Sequence, residues 1–322
     1  MIPRENRFSG TCTALVPFVS RKTAFEVLCD EIARRSLERA KYATRHLSPS
    51  MPKDSAYGKF SVVSSMETPP KALLTDSSLG VDILNSTFRT SHSPLVIFSH
   101  GYTTTPIKYR PLLEELADKG CAVLSLTHPS SVEEKDGLSL MEEVEYTDKL
   151  ATTMAHNIQY VLDQIRKGAI EGIEPTSKII LAGHSIGGAA STMVTRMNAS
   201  VAGCINLDGF LKGCNKTDAV LQPLLTITGD TEKYRESFEE DVDNPEKDIR
   251  EYVRASLKSI EDYDSLHRNS KRSIKVSIPG ASHMDFTDQP FQDFLQNKKS
   301  FSAAMRVHMI ATSALLTFIH SV

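Results

Sequence analysis

The sequence has little of several features that mark specialised protein classes. It has five cysteines, an odd count without a CxxC pair, and we interpret them as reduced structural thiols. Reduced cysteines favour a cytoplasmic protein, and a secreted protein is the alternative. The formal net charge is only −3, so the composition predicts no nucleic-acid partner. No run of about 18 uninterrupted apolar residues occurs, and no transmembrane helix is predicted.

What is present is an alternation of apolar strands and amphipathic helices along most of the 322 residues. Such alternation predicts an α/β architecture, with a mostly parallel central sheet and helices on both faces. We expect a helical N-terminal extension over residues 1–57, with a helix at 20–46, and one catalytic domain over 58–322. Strands are predicted at 58–65, 80–85, 93–101, 121–128, 177–183, 201–208, 223–230 and 273–280, and helices at 106–120, 146–167, 186–198 and 301–322.

The strongest motif is Gly183-His184-Ser185-Ile186-Gly187, a G-x-S-x-G between a predicted strand and a predicted helix. This context is typical of a nucleophile elbow, in which a strained turn exposes the serine above the sheet. Residues two positions away must lack bulk, and the following helix N-terminus favours developing negative charge. The motif therefore predicts Ser185 as a nucleophile, whereas the simpler interpretation is a glycine-rich turn.

An earlier strand ends in "SHGYTTT", which begins at Ser99. Ester hydrolysis passes through an oxyanion that needs two preorganised N–H donors. One donor is expected to be the backbone N–H of Ile186, the residue after the nucleophile, and the other that of Tyr102. The Tyr102 ring is also a candidate substrate contact.

A serine nucleophile needs a general base, and in the α/β-hydrolase fold, of which such an elbow is typical, the serine precedes the acid and the histidine comes last. The histidines that remain are His267, His283, His308 and His320. His283 lies in "GASHMDF" just after the last predicted strand, where a loop can reach back to Ser185. It is therefore the predicted base, and His100 and His184 are expected to orient loops or, for His184, to contact substrate.

Two aspartates are candidates for the acid that orients the histidine. "INLD" ends at Asp208 and "ITGD" ends at Asp230, each directly after a predicted strand. The commoner arrangement in the fold uses the later strand, which favours Asp230. The residue pattern alone leaves the two aspartates close to even.

These segments resemble the plasma-type (isoform II) platelet-activating factor acetylhydrolases, which are α/β-hydrolase serine esterases that act on phospholipids. "PLVIFSHG", "LAGHSIGGAAS", "GCINLDGF", "GASHMDFTD" and "ATSALLTFI" carry the resemblance over roughly residues 94–320. It implies Ser185 as nucleophile, Asp208 as acid and His283 as base, with Tyr102 and Ile186 as oxyanion donors.

The resemblance also implies a phospholipid substrate with a short or oxidised acyl chain. Phe210, two residues after Asp208, is a further candidate substrate contact. The resemblance has limits, because the chain has no tryptophan where the family carries one after the acid. "SHGYTTT" and "GASH" also resemble bacterial cutinases and polyester hydrolases, in which the acid follows the later strand, at Asp230. A general short-chain carboxylesterase and a non-catalytic hydrolase-like binding protein are the remaining alternatives.

No cofactor or metal is predicted. Residues 231–272 are rich in charge and are expected to form a helical excursion on the solvent side. The last helix, from about Phe301, is apolar on one face. We interpret it as packed on the sheet, with peripheral contact to a lipid interface as the alternative.

Overall fold

The computed structural model describes residues 80–84, 93–170, 173–174 and 178–322. The predicted helix at 20–46, the predicted strand at 58–65 and the predicted boundary between residues 57 and 58 lie outside the described residues.

The described residues form a seven-stranded sheet. Its strands are β1 Gly80–Leu84, β2 Leu95–Ser99, β3 Ala122–Thr127, β4 Ile179–His184, β5 Gly203–Leu207, β6 Leu224–Thr228 and β7 Ser273–Ser277. Their order across the sheet is β1-β3-β2-β4-β5-β6-β7. Strand β1 pairs antiparallel with β3, and all other neighbouring strands are parallel. The predicted α/β architecture is thus confirmed.

Helices connect the strands and cover both faces of the sheet. They are α1 Arg110–Asp118, α2 Leu140–Arg166, α3 Ile186–Met197, α4 Thr231–Glu240, α5 Lys247–Asn269, α6 Gln289–Leu295 and α7 Phe301–Ser321. Single 3-10 turns occupy Pro106–Tyr109, Pro129–Ser131 and His283–Phe286. The charged stretch forms α4 and α5, and the short helix α6 has no counterpart among the predictions.

Two apolar clusters explain why the central strands are almost continuously apolar. Side chains alternate between the faces of a strand, so Leu95 and Ile97 pack with α2 and α3, while Val96 and Phe98 pack with α1 and α7. Parallel strands buried on both faces need apolar residues at every position.

Helix α2 begins six residues before the predicted Tyr146. Ser139 caps it in a reciprocal pair with Glu142, a local pattern that favours a helix start. In addition, the Asp248 carboxylate of α5 accepts hydrogen bonds from the Leu140 and Met141 N–H groups, at 2.9 and 3.4 Å. This second cap comes from a residue more than 100 positions away, so the local sequence does not reveal it.

Within the described ranges, α7 is the helix long and apolar enough to cross a membrane by length and composition, and half of that window is buried. Val307, Ala311 and Leu315 pack in the cluster with β2 and α1 at 1–4% exposure. The apolar face of α7 is therefore part of the core, as the sequence-based interpretation expected.

Candidate active site

Ser185 lies in the turn between β4 and α3, with φ 55° and ψ −128°. Non-glycine residues rarely adopt a positive φ, so the turn is strained, and such strain is concentrated at functional sites. A Cβ at Gly183 would lie 2.7 Å from the Gly188 nitrogen, and one at Gly187 would overlap the Ser99 carbonyl. The two glycines of the motif therefore permit the close strand–helix contact that the turn requires.

Asp208 follows β5 and also has a positive φ, of 50°. Its Oδ2 accepts a 2.7 Å hydrogen bond from His283 Nδ1, and its Oδ1 accepts one of 2.8 Å from the Gly229 N–H. Burial alone would raise the pKa of Asp208, but the hydrogen bonds and the charge of His283 lower that pKa below its usual value. The carboxylate is thus ionised and shared between two donors.

His283 begins the 3-10 turn that follows β7. Ser282 and Asp285 form a reciprocal cap across this turn, and Lys299 pairs with Asp285 at 2.6 Å. The His283 side chain is 45% exposed. Because an ionised carboxylate can only accept, Nδ1 of His283 carries the proton and Nε2 presents its lone pair. That is the tautomer a general base requires.

Asp230, the other candidate acid, has a different set of partners. Its Oδ1 accepts from the Lys233 N–H at 3.1 Å and caps α4, and its Oδ2 accepts from the Gly280 N–H at 2.6 Å. These bonds, that of Gly280 first, lower the pKa of Asp230. The structure therefore brings Asp208, and not Asp230, to His283.

The Gly101–Tyr102 peptide is fixed by its carbonyl group. The Gly101 oxygen accepts hydrogen bonds from His100 Nδ1 and Thr104 Oγ1, both at 2.8 Å. Because the peptide is planar, these bonds also set the direction of the Tyr102 N–H. In the described ranges, neither this N–H nor that of Ile186 donates to a protein acceptor. The predicted oxyanion donors are thus available, and their role stays a prediction.

The side chains predicted to contact substrate have contrasting environments. Phe210, two residues after Asp208, is 38% exposed. The Tyr102 hydroxyl accepts a 2.8 Å bond from the Lys135 N–H, and its ring lies edge-on to Tyr146 with centroids 6.0 Å apart. The Tyr102 ring is thereby tied to the loop that follows β3.

The prediction that His184 contacts substrate is wrong. Its side chain is 1% exposed, and both ring nitrogens bond within the protein, to the Tyr109 hydroxyl and the His283 carbonyl. Burial, and next the charge of His283, lower its pKa to about 3. His184 is consequently a neutral internal residue.

Two residues that sequence reasoning missed hold the loop after Asp208. The amide of Asn206 accepts from the Gly209 N–H at 2.8 Å and donates to the Gly209 carbonyl at 2.9 Å. Tyr263, from the charged excursion, donates its hydroxyl to the same carbonyl. The polar Asn206 inside an apolar strand was a visible signal, whereas nothing local singles out Tyr263.

A buried polar network lies behind the Gly101 loop. His128 donates its backbone N–H to His100 Nε2 at 3.0 Å, and the His128 ring contacts Ser99 and Asn157 at 3.1 and 3.2 Å. Burial lowers the pKa of His100 to about 4. Burial, and next the charge of His100, lower the pKa of His128 well below 6.5. Both imidazoles are neutral in the folded protein. Among the described residues, no group of three or more His, Cys, Asp or Glu side chains could hold a metal ion.

The fold is that of the α/β-hydrolase class. The chlorophyllase family model matches residues 60–233, more than half of the chain, and the chain belongs to that family. Comparison with curated proteins gave no match.

Comparison with solved structures finds several hydrolases at low sequence identity. A ferulic acid esterase from Streptomyces cinnamoneus has 18% identity and a TM-score of 0.54, covering 80% of this chain and 86% of its own. A dienelactone hydrolase from Anabaena variabilis has 17% identity and a TM-score of 0.43, with 74% and 92% covered. An alpha-beta serine hydrolase homologue from Coxiella burnetii has 15% identity and a TM-score of 0.42, with 74% and 91% covered.

Proposed function

We propose that the protein hydrolyses carboxylic esters through an acyl intermediate on Ser185. The observation that carries this proposal is the 2.7 Å bond between Asp208 and His283, at the sheet edge where the strained Ser185 turn lies. Carboxylate, imidazole and hydroxyl then occupy the three roles of a serine-hydrolase site.

In the proposed reaction, His283 Nε2 takes the Ser185 proton as Oγ attacks the ester carbonyl carbon. The oxyanion forms against the N–H groups of Tyr102 and Ile186, and the Asp208 carboxylate stabilises the imidazolium. The imidazolium returns the proton to the departing alcohol, which leaves acyl-Ser185. Water activated by His283 then attacks the acyl carbon, releasing the carboxylic acid and restoring the serine.

For the substrate we favour a phospholipid with a short or oxidised acyl chain. Support comes from the resemblance of the elbow, acid and histidine segments to the platelet-activating factor acetylhydrolases, and from the position of Asp208 directly after β5. The exposed Phe210, two residues beyond the acid, gives the site mouth an apolar side chain. The family name points instead to chlorophyll, itself an ester of a long-chain alcohol.

A panel of esters, assayed at equal concentration of active sites, tests both the esterase activity and the preference for a phospholipid. We expect turnover of p-nitrophenyl acetate and butyrate by the wild type, loss of that turnover in Ser185→Ala, and faster cleavage of 2-acetyl than of 2-palmitoyl phosphatidylcholine. Chlorophyll and a soluble polyester oligomer complete the panel. Preference for either of these over 2-acetyl phosphatidylcholine would contradict the phospholipid assignment, and no turnover of any ester would contradict the esterase proposal.

A further inference from the structure

A buried chain of hydrogen bonds joins the loop of the predicted oxyanion donor to the loop of the predicted base. The Gly101 N–H donates to the Tyr109 hydroxyl at 3.0 Å, and this hydroxyl lies 2.8 Å from His184 Nδ1. His184 Nε2 lies 3.0 Å from the His283 carbonyl oxygen. His184 is also the residue directly before Ser185, so this chain meets all three parts of the site.

The chemistry of the two ends fixes the direction of every proton in this chain. A carbonyl can only accept, so the neutral His184 must carry its proton on Nε2. Its Nδ1 is then an acceptor, and the Tyr109 hydroxyl must donate to it. The Tyr109 oxygen remains free to accept from Gly101. Thr104 Oγ1 also lies 3.1 Å from the Tyr109 oxygen, but the Tyr109 proton is committed to His184, so a proton on that contact could come only from Thr104.

Packing shields the side chains of Tyr109 and His184 from water, so water cannot replace their hydrogen bonds. Tyr109 is 0% exposed and His184 is 1% exposed. The Tyr109 ring packs on Phe98, with centroids 4.9 Å apart, and the His184 ring packs on that of His283 at 4.5 Å. The contacts join residues 75 and 99 positions apart in the chain.

We propose that Tyr109 and His184 are positioning residues, which hold the Gly101–Tyr102 peptide and the His283 backbone at fixed places relative to Ser185. This inference rests on the proposed function, because it assigns to the two residues an effect on the same reaction. Each acts through a backbone group, Tyr109 through the Gly101 N–H and His184 through the His283 carbonyl.

Loss of the Tyr109 hydroxyl would change the His184 tautomer. Without a donor at Nδ1, His184 can carry its proton there, and its Nε2 lone pair would then face the His283 carbonyl. Two acceptors repel each other, so the base loop would shift away from Ser185. The Gly101 N–H would lose its acceptor at the same time, which frees the peptide that carries the Tyr102 N–H.

The test is a double-mutant cycle of Tyr109→Phe and His184→Gln, with kcat and KM measured per active site. Glutamine keeps a donor near the Nε2 position and loses the acceptor beside Tyr109. We expect each single variant to lower kcat by about 10- to 100-fold, since small misplacements of catalytic groups have effects of that size, with KM changed less than about threefold. Both variants break the same hydrogen bond, the one between Tyr109 and His184. The kcat of the double variant should therefore be no more than about threefold below that of the worse single variant.

Titration with a fluorophosphonate separates positioning from folding. The final labelled fraction should stay equal to that of the wild type, while the labelling rate falls with kcat. Tyr160→Phe is the matched control, because Tyr160 is buried in the cluster on the other sheet face. Tyr146 is the residue of α2 that contacts Tyr102, and Tyr160 lies about 21 Å further along this helix. We therefore expect Tyr160→Phe to have the kcat of the wild type.

Wild-type kcat in Tyr109→Phe, or losses that multiply in the double variant, would overturn the inference. A reduced labelled fraction with normal kcat per labelled site would also overturn it, because the two residues would then serve folding alone. A wild type that neither labels nor cleaves esters would instead contradict the proposed function itself.

Discussion

Replacement of Asp208 by asparagine is expected to lower kcat by about 10⁴-fold, since an asparagine at the acid position favours the wrong tautomer of the base. The Gly229 N–H needs an acceptor, so the amide oxygen would stay with Gly229 and the amide nitrogen would face His283 Nδ1. Two donors cannot face each other, and His283 would move its proton to Nε2. It could then no longer accept the Ser185 proton.

The measurement is kcat on p-nitrophenyl butyrate for Asp208→Asn and Asp230→Asn, normalised to folded protein. Asparagine tolerates the positive φ at position 208, so the backbone need not change. Asp230→Asn keeps a side chain that caps α4, since asparagine caps helices about as well as aspartate, and its kcat should stay within about fivefold of wild type. A large loss in Asp230→Asn alone would contradict the assignment of the acid.

Acidification below pH 6.5 is expected to destabilise the protein steeply, well above the pH at which carboxylates usually titrate. His100, His128 and His184 are buried and neutral. Burial lowers the folded-state pKa of His100 to about 4 and that of His184 to about 3, and it lowers the pKa of His128 well below 6.5. In the unfolded chain they bind protons from about pH 6.5 downward. The unfolded state therefore binds up to three more protons between pH 6.5 and 4, and the free energy of unfolding falls by up to about 4 kcal/mol per pH unit.

Urea unfolding between pH 7.5 and 4.5 measures this slope. His156 is exposed on α2, so His156→Gln should leave both the stability and its pH dependence unchanged. His128→Asn should be less stable at pH 7 but should lose about a third of the slope below pH 6.5. Equal slopes in wild type and His128→Asn would show that buried His128 does not remain neutral.

The parts of the molecule that the sequence predicted are those encoded by adjacent residues. Apolar runs that end in Gly, Ser or Asp predicted β2, β4, β5 and β6, because a strand that is buried on both faces is apolar at nearly every position. The two glycines around Ser185 gave the elbow, because only their small size permits the contact between β4 and α3. The pairing of His283 with Asp208 could not be decided between two strand ends by pattern alone.

What the sequence could not reveal depends on contacts between distant elements. Asp248 caps the start of α2 from another helix, and Tyr263 reaches the Asp208 loop from the stretch predicted as a charged helical excursion on the solvent side. The burial of His184 depends on Tyr109 and on the loop of His283, which approach only in the folded chain. Local periodicity contains no information on such approaches, so a polar residue beside a nucleophile can be mistaken for a substrate contact.

The most direct test of the central claim is the site of covalent labelling by a fluorophosphonate. Such a probe reacts with a serine whose proton is removed by a base and whose adduct is stabilised by an oxyanion site. The account predicts one adduct per chain, located on Ser185 by peptide mass spectrometry, and none in Ser185→Ala or in heat-unfolded protein. Folded wild type without an adduct, or with the adduct on another residue, would contradict it.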